Sequence, residues 1–269
     1  MGVGNRRVMK WSLRALVAVL VLFGLYLSVF FLPYPMFPHH LNHAGFSVYS
    51  DREFPVGFES TLEDSRRRVE AMELFRGDDP PRLFICHSQR LFELFCRLAG
   101  KPHSGQGLLI SLANNAFISA PGVATVAQRH GGRPTHSRLE GSWAAAIAHE
   151  TNHHLVFQRI GLGGVKAMAP WKAEGYADYQ ANLAPASADS DYNLRTRIEL
   201  VLDDSKWTGS TAIVDRRHFR WHVLVEYLYT VKGITFRQLL APELTEKAAM
   251  AEMMAWYNAP ADATPGRGH

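Results

Sequence analysis

Residues 144–161 read AAAIAHETNHHLVFQRIG, and the fold turns on what this stretch does. Alanine, leucine and isoleucine dominate it, Gly161 closes it, and its polar letters gather in His149-Glu150-Thr151-Asn152-His153. That composition predicts one helix over residues 142–160. Positions four apart on a helix stack one turn above each other, so His149 and His153 share a face. Two imidazole nitrogens placed this way can both reach a zinc ion at about 2.0–2.1 Å. Glu150 is offset around the helix, where its carboxylate can serve as a general base. Two histidines and a glutamate in an apolar segment are costly to bury without a partner. The plainer alternative is a core helix whose histidines are satisfied by their neighbours, and five letters do not separate the two.

A third ligand is therefore the next thing to look for. Twenty-one residues past His153, the stretch WKAEGYADY (171–179) carries Glu174 on a second expected helix, after the glycine-containing GLGG segment, read as a loop. A catalytic zinc takes three protein ligands and keeps one position open, and two histidines with one glutamate is a known set. Asp178 lies four residues after Glu174, on the same face. It can accept the second ring N–H of one zinc histidine and so hold that ring in one tautomer and orientation. An ordinary solvated acidic face would show the same two residues without this spacing to HETNH.

The pattern HETNH…EGYAD (149–178) resembles the gluzincins, the thermolysin-like zinc metallopeptidases of the peptidase MA group, in which H-E-x-x-H is followed by E-x-x-x-D on the next helix. The resemblance spans roughly residues 105–240 and rests on five positions. It implies His149, His153 and Glu174 as ligands of Zn²⁺, Glu150 as catalytic base and Asp178 as the support behind a ligand. The stretch HHLVFQRIGLG lacks the third histidine of a metzincin, and His154 points off the ligand face. By the same resemblance, NNAFIS (114–119) is expected to be an edge strand along which a peptide or protein substrate binds, with Asn115, Ala116 and Phe117 offering it polar groups. An ordinary strand is the alternative. A donor to the oxyanion is expected from a later helix, Asp215 to Gly233. That helix offers His218, His222, Tyr227 and Tyr229; Tyr229 is the choice carried forward, although EYLY also suits a packing face.

The N-terminus bears on where such a site would work. Arg6, Arg7, Lys10 and Arg14 lead into an uninterrupted apolar run from Ala15 to Leu32. At about 1.5 Å per residue such a run is long enough to cross a bilayer core. Aromatic residues and prolines follow rather than a small-x-small cleavage site, which favours an uncleaved signal anchor over a cleaved signal peptide. The positive-inside rule then puts the N-terminus in the cytoplasm and the rest of the chain outside it, in the periplasm if the source is bacterial.

The remaining features bound the answer. The 269 residues carry a net charge of +4, with no long basic run, which gives nucleic-acid binding no support. Cys86 and Cys96 are the only cysteines. A disulfide and two buried thiols both remain open, because RLFIC reads as a strand and SQRLFELFCRLAG as a helix that would carry Cys96 away from Cys86. Residues 33–57 read as a juxtamembrane connector, 129–141 as a loop and 258–269 as a disordered tail. Strands and helices mix in the first half and helices fill the second, an α+β arrangement. The expected organisation is a stub and transmembrane anchor over 1–37 and a thermolysin-like zincin domain over 38–257, a small mixed sheet followed by a helical half. The leading function is a membrane-anchored zinc-dependent peptidase. Its rivals are an anchored, catalytically inactive domain that binds peptides or envelope partners, and a zinc hydrolase acting on a non-peptide bond. Oligomeric state is not legible.

Overall fold

The computed structural model describes residues 3–77, 80–101, 106–121, 123, 142–183, 194–206 and 212–259. The expected loop over 129–141 and the tail from 260 onward lie outside the described residues. Among the described residues the architecture is α+β: one mixed five-stranded sheet and a larger helical part. The strands are β1 (His39–His43), β2 (Phe46–Ser50), β3 (Arg82–Cys86), β4 (Gly107–Ile110) and β5 (Asn115–Ser119). Their order across the sheet is β1-β2-β3-β5-β4, with β2, β3 and β5 parallel and the outer strands β1 and β4 antiparallel to their neighbours.

The helices are α1 (Val3–Phe31), α2 (Phe58–Glu70), α3 (Gln89–Leu98), α4 (Trp143–Ala167), α5 (Pro170–Ala181), α6 (Leu194–Leu202), α7 (Ala212–Thr230), α8 (Phe236–Leu239) and α9 (Glu246–Asn258). Central strands covered on both faces read as continuous apolar runs, and RLFIC does so here. Leu83 and Ile85 of β3, with Ala116 and Ile118 of β5, join a core that α2 and α4 complete through Leu62, Val69, Ile147 and Leu155. The alternate residues Phe84, Cys86 and Phe117 face the other way, onto Phe92, Phe95 and Cys96 of α3. Phe117 stacks between Phe84 and Phe95, with ring centroids at 5.1 and 4.0 Å. A third core, built by Tyr176, Ile198, Val223, Leu224, Leu228 and Met253, binds the later helices together.

Two sequence expectations change. Residues 39–50 are not a connector but a β-hairpin, turned by Ala44 and Gly45 with φ of 50° and 80° and added to the sheet edge beside β3. The GLGG segment is not a loop: helical structure continues to Ala167 beyond a break at Gly161 (φ 65°, ψ −179°). The helix carrying HETNH thus ends where expected, and a short continuation follows. Cys86 and Cys96 are separate buried thiols. Within α1, Trp11–Phe31 is long and apolar enough to cross a membrane, and its residues are exposed through Leu27, half-buried at Ser28 and Val29 and buried at Phe30.

Local chemistry sets the positions that matter. Ser142 caps α4 by accepting from Ala145 N–H at 3.0 Å. Pro170 begins α5, where its missing N–H costs no helical bond. Gly175 lets α5 press against α7: a Cβ there would come within 2.5 Å of the Trp221 carbonyl oxygen. The far end of α5 is tied to α2 and the segment after it: Arg68 donates to the Ala181 carbonyl at 2.8 Å and Glu73 N–H donates to Gln180 Oε1 at 2.8 Å. The helix that presents Glu174 is thereby pinned on two sides.

Candidate metal centre

The structure brings His149 and His153 of α4 together with Glu174 of α5. Helical stacking places the two Nε2 atoms 3.0 Å apart. Glu174 Oε2 closes the triangle at 3.4 Å from His149 Nε2 and 3.5 Å from His153 Nε2. A tetrahedral ion bonded at about 2.0–2.1 Å separates its ligand atoms by about 3.3 Å. The triangle therefore fits such an ion with little movement of any side chain. Two imidazole nitrogens and one carboxylate oxygen are also a donor set that suits zinc.

Asp178 stands behind the triangle, its Oδ1 2.7 Å from His149 Nδ1. With that nitrogen donating to the carboxylate, Nε2 is the atom turned toward the triangle, and its lone pair is free for a cation once its proton is lost. Asn182, one turn on, donates to the Asp178 carbonyl at 2.7 Å. The electrostatics agree with a cation site. Burial alone would lower the His149 pKa, but Asp178 and Glu174 outweigh it and hold the value well above the ordinary histidine range. Burial alone would raise the Glu174 carboxyl, yet the imidazoles of His153 and His149 hold it well below the ordinary range. The pocket stabilises positive charge from two directions.

Glu150 is buried beside the ligands, and burial raises its pKa, with His149 and His153 pulling the other way. Its carboxylate lies against Gly107, the first residue of β4, so closely that a Cβ at 107 would come within 2.1 Å of Oε1. Sequence reasoning missed Gly107. The only available signal was the glycine opening GLLI, a short run read as one or two strands.

Two expected site positions fall elsewhere. Asn115, Ala116 and Phe117 do not form an edge: β5 is paired with β3 on one side and β4 on the other, and all three residues are fully buried. Its backbone groups are already spent in the sheet, so a substrate strand cannot add to it. Asn115 Nδ2 donates instead to the Phe30 carbonyl at 2.6 Å. The outer strand on this side is β4, which among the described residues pairs with β5 alone and lies beside α4.

Tyr229 is the second correction. Its hydroxyl donates to Glu73 Oε2 at 3.0 Å, and its ring packs on Tyr176 and Tyr179 at 5.7 and 5.0 Å between centroids. Tyr176 is two residues from Glu174 and so lies about 200° around α5 from the ligand face. Tyr229 packs with it there, away from His149 and His153. Of the other donors considered, His222 is buried behind Asp178, with Nε2 3.9 Å from Glu226 Oε2; Glu226 is ion-paired to Arg197. Burial pushes the His222 pKa down to about 4, with Asp178 opposing and Arg197 adding to the shift. His154 is buried in the α4 core. No protein-family model matches this chain, and a search of curated proteins returns no match.

Proposed function

We propose that the chain is a membrane-anchored, zinc-dependent peptidase of thermolysin-like type, with its hydrolytic domain outside the cytoplasm. The observation that carries this is the convergence of His149, His153 and Glu174 on one cation-sized triangle, with Glu150 buried next to it and Asp178 behind it. A structural zinc site has no use for Glu150; a hydrolytic one does. Bound by the three ligands, zinc supplies Lewis-acid polarisation of a carbonyl and acidifies water near neutral pH.

The chain's own residues do the rest. Asp178 holds His149 in the tautomer that ligates. Glu150 takes a proton from the attacking water and passes it to the leaving nitrogen, a role that burial favours by bringing its pKa nearer neutrality. β4 supports a peptide as the substrate, since its outer edge, unpaired among the described residues, runs beside α4 and can accept an extended chain as an added strand. On this view β4, not β5, is the substrate strand.

The test uses the full chain in detergent or nanodiscs. Metal analysis is expected to find one zinc per chain, and Glu150→Gln is expected to keep that zinc while losing hydrolysis of a peptide panel by a factor on the order of 10³ or more. Full activity in Glu150→Gln, or no metal after zinc supplementation, would sink the assignment. Zinc binding with hydrolysis only of non-peptide substrates would transfer it to the third class above.

A further inference from the structure

The anchor helix does not hang from a flexible stalk. Tyr26, inside the apolar span, donates to the Leu98 carbonyl at the end of α3 at 2.7 Å. Phe30 is 5% exposed and packs on Phe95, with centroids 6.5 Å apart, while its carbonyl accepts from Asn115. The last turn of the span is thus part of the domain core.

Strand directions then set which end of the domain faces the bilayer. β3 starts at Arg82, whose guanidinium donates to the Tyr34 hydroxyl and the Ala113 carbonyl, and runs away from α1 toward Cys86. Next, α3 returns toward α1, ending at Leu98. β4 also runs toward α1, from Gly107 opposite Ile118 to Ile110 opposite Asn115, and the turn Ser111–Ala113 lies at that near end. Tyr26 is five residues inside the span's end at Phe31, a depth of about 7 Å. Leu94, four residues before Leu98, stands about 6 Å back along α3, level with the end of the span.

An apolar rim occupies this level. Leu91, Leu94 and Leu98 fall at i, i+3 and i+7 on one side of α3, and Leu94 is 43% exposed. Leu112, at the β4–β5 turn, is 67% exposed. Arg97, paired to Glu93 at 3.2 Å, and the exposed Lys101 stand next to Leu98, with side chains long enough to extend their charge to the lipid headgroups.

We propose that the domain is seated on the bilayer through this rim, with Leu94 and Leu112 entering the boundary between headgroups and acyl chains next to the emerging α1. Lipid is the occupant because the rim is continuous with the span and lies at the depth that the Tyr26–Leu98 bond sets. This rests on the anchor assignment of α1 and is independent of hydrolysis. Its consequence is positional. Gly107, which marks the metal centre, is three residues up β4 from Ile110, so the seat holds the centre roughly 10 Å above the interface. Substrates would be met close to the membrane surface.

The experiment places an environment-sensitive fluorophore at Leu94→Cys, Leu112→Cys, Leu20→Cys and Val56→Cys in the full chain in nanodiscs, with the wild type correcting for its two buried thiols. Val56 is fully exposed at the far end of the sheet, and Leu20 lies mid-span. Spin-labelled phospholipid is expected to quench the probes at 20, 94 and 112 severalfold more than the probe at 56, and aqueous iodide the reverse. Probes at 94 and 112 quenched by iodide while 20 is quenched by lipid would overturn the seat and leave the anchor standing. Probes at 94 and 112 shielded from both quenchers would mean a protein or second copy covers the rim, which also overturns it. A probe at 20 that lipid does not reach would remove the anchor and the seat together.

Discussion

Helix α5 contributes to two clusters of ionisable side chains on opposite faces, and they differ in how their hydrogen bonds add up. On one face, Glu73 receives the hydroxyls of Tyr176 and Tyr229 at 3.2 and 3.0 Å and the Phe236 N–H at 3.0 Å. Its acceptors are met by donors, which is the signature of a polar knot that holds a fold together. On the other face, two imidazole nitrogens and the Glu174 carboxylate converge across 3.0 to 3.5 Å. With both Nε2 atoms unprotonated the three converging atoms are all acceptors and a cation completes the cluster; without one a proton takes that place, as the raised His149 pKa shows. Both clusters set a carboxylate among aromatic rings against α5; fixed hydroxyl and amide donors meet Glu73, whereas ring nitrogens of variable protonation face Glu174.

The sharpest way to break this comparison is to delete the carboxylate on each face. Glu174→Ala is expected to abolish stoichiometric zinc binding and leave the fold intact. Glu73→Ala is expected to keep the zinc but cost roughly 3 kcal/mol of stability, about 1 kcal/mol for each bond lost. Metal analysis and chemical denaturation on the pair decide it; zinc lost in Glu73→Ala with stability unchanged would erase the distinction.

A comparable effect is expected from pH. His222 has a folded pKa of about 4 against an ordinary value of 6.5. Above pH 6.5 it is neutral in both states and contributes no pH dependence. As pH falls from about 6.5 to about 4 the unfolded chain takes up a proton that the native one refuses, so stability declines by roughly 3 kcal/mol in total. Denaturation of the chelated protein across this range is expected to show the slope, and His222→Gln to flatten it. An unchanged slope would mean His222 is not held neutral.

Asp178→Asn sharpens the metal side more gently. Loss of the carboxylate behind His149 is expected to weaken zinc affinity about 10- to 100-fold. Competition with a chelator reads this directly, and an unchanged affinity would reduce Asp178 to a bystander. Tyr229→Phe is the smallest change. It removes one of three donors to Glu73, an expected loss of about 1 kcal/mol with peptide hydrolysis unaltered. A large fall in kcat would return Tyr229 to the oxyanion role that its spacing on the sequence allowed.

That reversal shows where sequence patterns stop. Helical period placed Tyr229 and His222 on one face of α7 but could not say which neighbours that face meets. The hairpin 39–50 went unseen because HHLNH has weak strand character alone and pairs with FSVYS, which in turn takes the edge that β3 offers. NNAFIS was legible as a strand and not as an interior one, since strand order is settled by partners distant in the chain.

What the sequence determined by itself is what depends on short range. A four-residue spacing on a helix forces His149 and His153 together, Glu174 and Asp178 follow the same rule on α5, and an apolar run of bilayer length marks α1. Only the tertiary structure decided what depends on packing between segments far apart. It pressed α5 onto α7 at Gly175, closed the triangle with Glu174, set Gly107 against Glu150, made β4 the edge and gave Tyr229 to Glu73. Periodicity fixes the direction of a side chain from its own helix; only the packed core fixes what stands in that direction.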